Sequence, residues 1–191
     1  QGVRTIAYLP ESVRGHAVLA VLACEQLVMA PAAELGDAGV IERVIDDTLR
    51  GAYQDIGGRR RILPLPLVMG MLDPALAVYR VKTPEDVLFV HQEQLDQLTA
   101  DGEVVQVDTL MAPGKAGLLE GRWMAGDDRL ISHLAKNRQE LANTLRLPPG
   151  SIREQLGTGA RHRGVQIEIS GRISGSKIAT LRRTLQEEIA T

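Results

Sequence analysis

Apolar positions fall in short runs along this chain, and proline, glycine and charge punctuate them closely enough to predict the elements. Residues 3–9 form an apolar run stopped by Pro10, which reads as a buried strand. After the loop 11–15, residues 16–25 are almost wholly apolar and rich in Ala and Leu, good helix formers, so a buried helix is expected there. Residues 27–30 read as a short strand ended by Pro31, and the glycines of segment 33–39 permit a tight turn. Residues 40–53 have helical spacing, with Val40, Ile41, Val44, Ile45 and Leu49 opposite Glu42, Arg43, Asp46, Asp47 and Arg50. Gly57-Gly58 is expected to end that helix.

Further on, residues 62–76 are apolar but interrupted by Pro64, Pro66 and Pro74, which predicts a helix with an irregular start. Residues 77–81 and 87–91 read as strands joined by a polar turn, and 104–110 as another short strand. A helix is expected over 130–145, with Leu130, Leu134, Leu141 and Leu145 inward, before Pro148-Pro149-Gly150 breaks the chain. Residues 155–164 are rich in Gly and Arg and read as a linker. Residues 165–169 alternate as a strand does, and 175–190 carry the stripe Ile178, Leu181, Leu185 and Ile189 of an amphipathic helix. Strands alternating with helices predict an α/β fold, with a domain over 1–154, the linker, and a strand–helix unit over 165–191. That last unit either completes the fold or begins a second copy of it.

Composition removes several classes. The net charge of −2 lacks the basic excess of a nucleic-acid binder, and aromatics at 3% leave no stacking platform and require an aliphatic core. Cys24 is the only cysteine, so neither an intrachain disulfide nor a cysteine-rich zinc site is expected. No apolar run reaches the roughly 18–20 residues that span a bilayer. The start, Gln1-Gly2-Val3-Arg4-Thr5, lacks the basic-then-apolar order of a signal peptide and is expected of a piece of a longer parent. No cofactor signature is present.

The string Ala20-Val21-Leu22-Ala23-Cys24-Glu25-Gln26-Leu27-Val28-Met29-Ala30-Pro31, followed by Ala33-Glu34-Leu35-Gly36-Asp37-Ala38-Gly39, narrows the fold. It resembles a signature of ClpP-class serine peptidases, most closely the NfeD-type membrane-associated branch: buried helix, strand ending in Met-Ala-Pro, glycine turn. Thr5-Ile6-Ala7-Tyr8-Leu9-Pro10 sits where that family places the strand before its nucleophile. Residues 118–126 are similar to the stretch leading to the family's C-terminal helix, and 165–171 to its first strand. The resemblance implies a ClpP/crotonase-like spiral of ββα units, incomplete or discontinuous in this chain. It also implies a homo-oligomer, a peptide or protein substrate, and membrane attachment only through parts of the parent outside the chain.

The family's chemistry can then be checked residue by residue. A serine at the start of the buried helix attacks the peptide carbonyl, a lysine or a histidine with an aspartate takes its proton, and a Gly-Gly turn holds the oxyanion. Setting Ala23-Cys24-Glu25 on the family's Ala-Ala-Asp puts Gly15 at the nucleophile position, or His16 if the alignment slips by one. Neither is a serine. Ser12, the only serine before Ser132, lies three residues too early and reads as a turn or cap residue before a nucleophile. No lysine precedes Lys82, and Arg43 and Arg50 stay protonated and cannot act as bases. Ser12 and His16 are therefore the remaining catalytic candidates. The neutral imidazole of His16 would serve as a base, as a hydrogen-bond donor, or as a structural cap for the loop beside it.

Other polar features read as structural. His91, His133 and His162 lack metal-ligand spacing; Asp46-Asp47 and Asp127-Asp128 read as solvated charges, and Arg59-Arg60-Arg61 as a surface patch. The expected function is a degenerate ClpP/NfeD-type peptidase domain acting in assembly or peptide binding. The alternative is part of an active serine peptidase whose catalytic residues lie in another copy or outside the chain. Crotonase-like acyl-CoA binding ranks third.

Overall fold

A computed structural model describes residues 4–148 and Ile152. The chain divides into two compact units, Gln1–Ile152 and Arg153–Thr191. The linker expected over 155–164, the strand–helix unit expected over 165–191 and His162 lie outside the described residues.

The first unit is mixed α/β. Strand β1 (Ile6–Leu9) leads through helix α1 (Ala17–Leu22) to β2 (Gln26–Met29). The two strands pair in parallel, Ile6 opposite Gln26 and Leu9 opposite Met29, as a connection through a helix allows. A two-residue strand, β8 (His133–Leu134), extends this sheet in parallel along β2. Side chains alternate across β2: Leu27 and Met29 enter the main core, while Val28 turns to a small second core with Ala135 and Leu141. Leu141 belongs to α6 (Arg138–Thr144), which therefore covers the far face of the sheet.

Strand β3 (Glu34–Gly36) pairs antiparallel with β7 (Leu118–Glu120), and β4 (Val78–Lys82) lies between β5 (Val87–Val90) and β6 (Gln106–Met111), both antiparallel to it. Helices α2 (Asp47–Arg60) and α3 (Leu65–Leu72) pack together, α4 (Gln92–Ala100) lies against β4, and the short α5 (Gly121–Met124) follows β7. With few aromatics to use, the core is aliphatic: Val18, Leu22, Leu35, Leu67, Met71, Leu72 and Met124 are buried around Tyr53, the bulkiest enclosed side chain.

Backbone meets backbone at the centre. A methyl group on Gly36, whose φ is +145°, would lie 1.9 Å from the Gly117 carbonyl oxygen, and one on Gly117 would lie 2.4 Å from the Gly70 carbonyl oxygen. Strand β3, the segment before β7 and helix α3 are thus stacked through glycines with no room for a side chain.

Several expectations are corrected. The helix expected over 40–53 begins only at Asp47, because the Asp46 carboxylate accepts the Leu49 N–H at 2.8 Å and caps it. The segment before it is a turn, fastened by the Ala38 N–H to the Met71 carbonyl at 2.7 Å. Val40, Ile41 and Val44 are consequently 53, 71 and 74% exposed; only Ile45 and Leu49 of the expected stripe pack on the core. Gly57-Gly58 does not end α2, which runs on to Arg60 and closes on Arg61 in the left-handed region (φ 52°). Gly57 is instead a contact point, since a Cβ there would lie 3.3 Å from Leu65 and Val68 of α3. The helix expected over 130–145 divides into β8 and α6, because Asn137 caps α6 by accepting the Glu140 N–H at 2.9 Å. Helix α4 was not anticipated by the pattern.

Candidate functional site

The loop between β1 and α1 carries the candidate residues, and hydrogen bonds stitch it to β3 and to Asp37 just after it, the Arg14 guanidinium adding one to the Glu34 carboxylate at 3.0 Å. The Val13 N–H donates to the Glu34 carbonyl at 2.8 Å, the Gly36 N–H to the Val13 carbonyl at 3.2 Å, and the Gly15 N–H to the Asp37 carbonyl at 3.1 Å. Another bond uses Ser12, whose hydroxyl oxygen accepts the Glu34 N–H at 3.0 Å. Gly15 turns the chain into α1 at φ +64°, a left-handed value that favours glycine, and its carbonyl receives the Val18 N–H at 3.1 Å.

His16 precedes α1 but its ring makes no cap bond. The imidazole reaches across to two other segments: Nε2 lies 3.0 Å from a Glu42 carboxylate oxygen in the turn after β3, and Nδ1 lies 3.3 Å from the Tyr53 hydroxyl on α2. The side chains of His16 and Glu42 are about four-fifths enclosed, at 20 and 23% exposure. Burial raises the Tyr53 phenol well above its ordinary ionisation range, so it stays a hydrogen-bond donor. With the imidazole neutral, the satisfied arrangement is Tyr53 O–H donating to Nδ1 and Nε2–H donating to Glu42. Both ring nitrogens are then committed. The triad clasps loop, turn and helix, and Ser12 and His16 are held by different partners.

The remaining titratable residues fall elsewhere. Arg50 reaches the buried Asp73 carboxylate, which also accepts the Ala75 N–H at 2.9 Å. The His91 Nδ1 sits 2.8 Å from the Ala77 carbonyl, and His133 lies exposed on β8. Each arginine of the 59–61 cluster has its own neighbour: Asp55, Glu25 and the Gly58 carbonyl. Asp46-Asp47 and Asp127-Asp128 are not simply solvated. Asp46 is the α2 cap, and Asp128 holds Arg80 in a two-point pair, Nε and Nη2 both at 2.7 Å, with side-chain exposures of only 12 and 19%. Asp108 adds a third contact to Arg80 at 3.3 Å, and the hydrogen bonds to Asp128 first, then the charges, hold the guanidinium yet more firmly protonated.

Two clefts of the unit are lined by these titratable residues. One, of about 420 Å³, lies between α2, α3 and the start of α4 and is lined by Arg50, Leu65, Met69, Leu76, His91 and Gln94. The other, of about 360 Å³, is lined by Arg80, Asp108, Leu110, Trp123, Asp127 and Asp128. Neither is lined by Ser12, Gly15 or His16. Among the described residues no group of three His, Cys, Asp or Glu side chains could hold a metal ion, and no helix is long and apolar enough to cross a membrane.

No family model matches the chain, and no curated protein and no solved structure matches it either. The class that the described elements define is mixed α/β. Glu42 and Tyr53 are hydrogen-bond neighbours of His16 that the sequence pattern did not single out. The one available signal was a tyrosine set among the charged and glycine residues of α2 in a chain with five aromatics (one Phe, one Trp and three Tyr).

Proposed function

We propose that the unit Gln1–Ile152 is a ClpP/NfeD-type serine-peptidase-like domain that has lost peptide-bond hydrolysis and acts in assembly or peptide binding. The spiral of ββα units belongs to this proposal. In its support, the parallel pair β1–β2 is joined through α1, whose Val18, Val21 and Leu22 are buried, and Ala38 and Gly39 turn the chain after β3. The observation that carries the reading is the placement of the His16 ring. Gly15 and His16 stand at the start of α1, where the family's nucleophile would be, and both imidazole nitrogens are spent on Glu42 and Tyr53. Nδ1, the nitrogen not paired with the carboxylate, faces the buried Tyr53 phenol, so no serine hydroxyl stands where it could pass its proton to the ring. Ser12 is occupied too, as a bond acceptor in the loop.

A fluorophosphonate probe tests the reading on the whole chain. No labelling at Ser12 is expected, and Ser12→Ala should leave the labelling pattern unchanged. Stoichiometric labelling that disappears in Ser12→Ala overturns the proposal.

A further inference from the structure

We infer that the outer edge of β6 takes up an extended peptide segment and seats one of its lysine or arginine side chains in the adjoining cleft. Strand β6 is an outer strand of the β5-β4-β6 sheet, and at six residues it is the longest strand described. It bonds to β4 on one side; among the described residues no backbone hydrogen bond is made on the other. An unpaired edge of this length is a template for another strand. Apolar Val107 stands exposed on it, and Val105 just before it.

The cleft beside this edge determines what the added strand carries. Asp108 and Leu110 of β6 both line the cleft, with Trp123, Asp127 and Asp128. Three carboxylates meet one guanidinium, and Arg80 is already fully engaged by Asp128 and Asp108. Asp127 is exposed and has no ion-pair partner among the described residues. The Trp123 indole, 36% exposed, presents a surface to the same space. A peptide cation placed there gains a carboxylate and an aromatic face together. Main-chain pairing supplies affinity, and the cleft selects the basic side chain by charge complementarity. The inference goes beyond the peptidase likeness and needs neither Ser12 nor His16, so it survives if that likeness fails.

Trp123 is the only tryptophan, so its fluorescence reports on the cleft. The whole chain would be titrated with a capped seven-residue peptide, Thr and Val alternating around a central Lys. The comparisons are the same peptide with central Glu, the Lys peptide N-methylated along one edge, and lysine amide alone. A saturable change with the Lys peptide is expected, about tenfold weaker for the Glu peptide, about two- to fivefold weaker for Asp127→Asn, and suppressed by high salt. N-methylation should abolish it. Equal binding of the Lys and Glu peptides, undiminished binding of the N-methylated peptide, a response to lysine amide that matches the full peptide, or no response at millimolar peptide each overturns the inference. The peptide comparisons all use the unaltered protein, so misfolding of a variant cannot decide the result.

Discussion

A Gly36→Ala chain should lose more than about 4 kcal/mol of stability, enough to consume much of the margin of an ordinary domain. The added methyl would sit 1.9 Å from the Gly117 oxygen and 2.9 Å from its carbonyl carbon, and no side-chain rotation moves backbone atoms away. Relief requires β3 and β7 to part, which also breaks the 2.8 Å bond from the Asp37 N–H to the Gly117 carbonyl. Gly117 cannot retreat, because its own Cα faces the Gly70 carbonyl. Gly58 makes the opposite control. Nothing lies within 4 Å of a Cβ built there, and the residue is inside α2, so Gly58→Ala should stabilise by up to about 1 kcal/mol. Urea denaturation followed by Trp123 fluorescence reads both. An unchanged midpoint for Gly36→Ala would disprove the close stacking, and a destabilised Gly58→Ala would return α2's end to the glycine pair.

Tyr53 carries the second large effect. Tyr53→Ala should cost about 3–5 kcal/mol through the cavity it leaves, and Tyr53→Phe about 1–2 kcal/mol through the lost bond to His16. The two can be separated by pH. Burial raises the folded phenol's pKa above its value near 10 in the unfolded chain, so between those values the folded state binds more protons. Stability from this group is fully present below about pH 10 and falls above it, by up to about 1.4 kcal/mol per pH unit. Tyr8 shifts the same way, through partial burial and Glu140 against Arg138, and is common to both chains. The difference between the parent and Tyr53→Phe in urea midpoints from pH 8 to 11 therefore isolates Tyr53. Parallel curves for the two proteins would show that the phenol is not buried as described.

What could be read in advance divides along physical lines. Strand β2 and helix α1 were legible because apolar runs bounded by Pro10, Pro31 and glycine permit little else, and the β4–β5 hairpin for a similar reason. The stripe from Val40 misled because spacing alone does not say whether apolar side chains find a core. The Asp46 cap and the fastening of Ala38 to α3 decided that they did not. Helix α4 offered only Leu95 and Leu98 against a polar background, too few to set a period. At the candidate site, His16 was legible as a residue in an odd place. Its partners lie 26 and 37 positions away, and Arg80 and Asp128 lie 48 apart; pairings made by the tertiary fold leave no local pattern.

The two-sided sheet built on β2 has a consequence for how the unit opens. Its far side rests on Val28, Ala135 and Leu141, fastened at the edge by a strand of two residues, whereas the near side shares the large aliphatic interior. Sub-global opening should begin there. Amide protons of Leu141 and Leu145 should trade with deuterium well before those of Leu27 and Val28, with α6 detaching as a flap while the bulk of the unit stays shut.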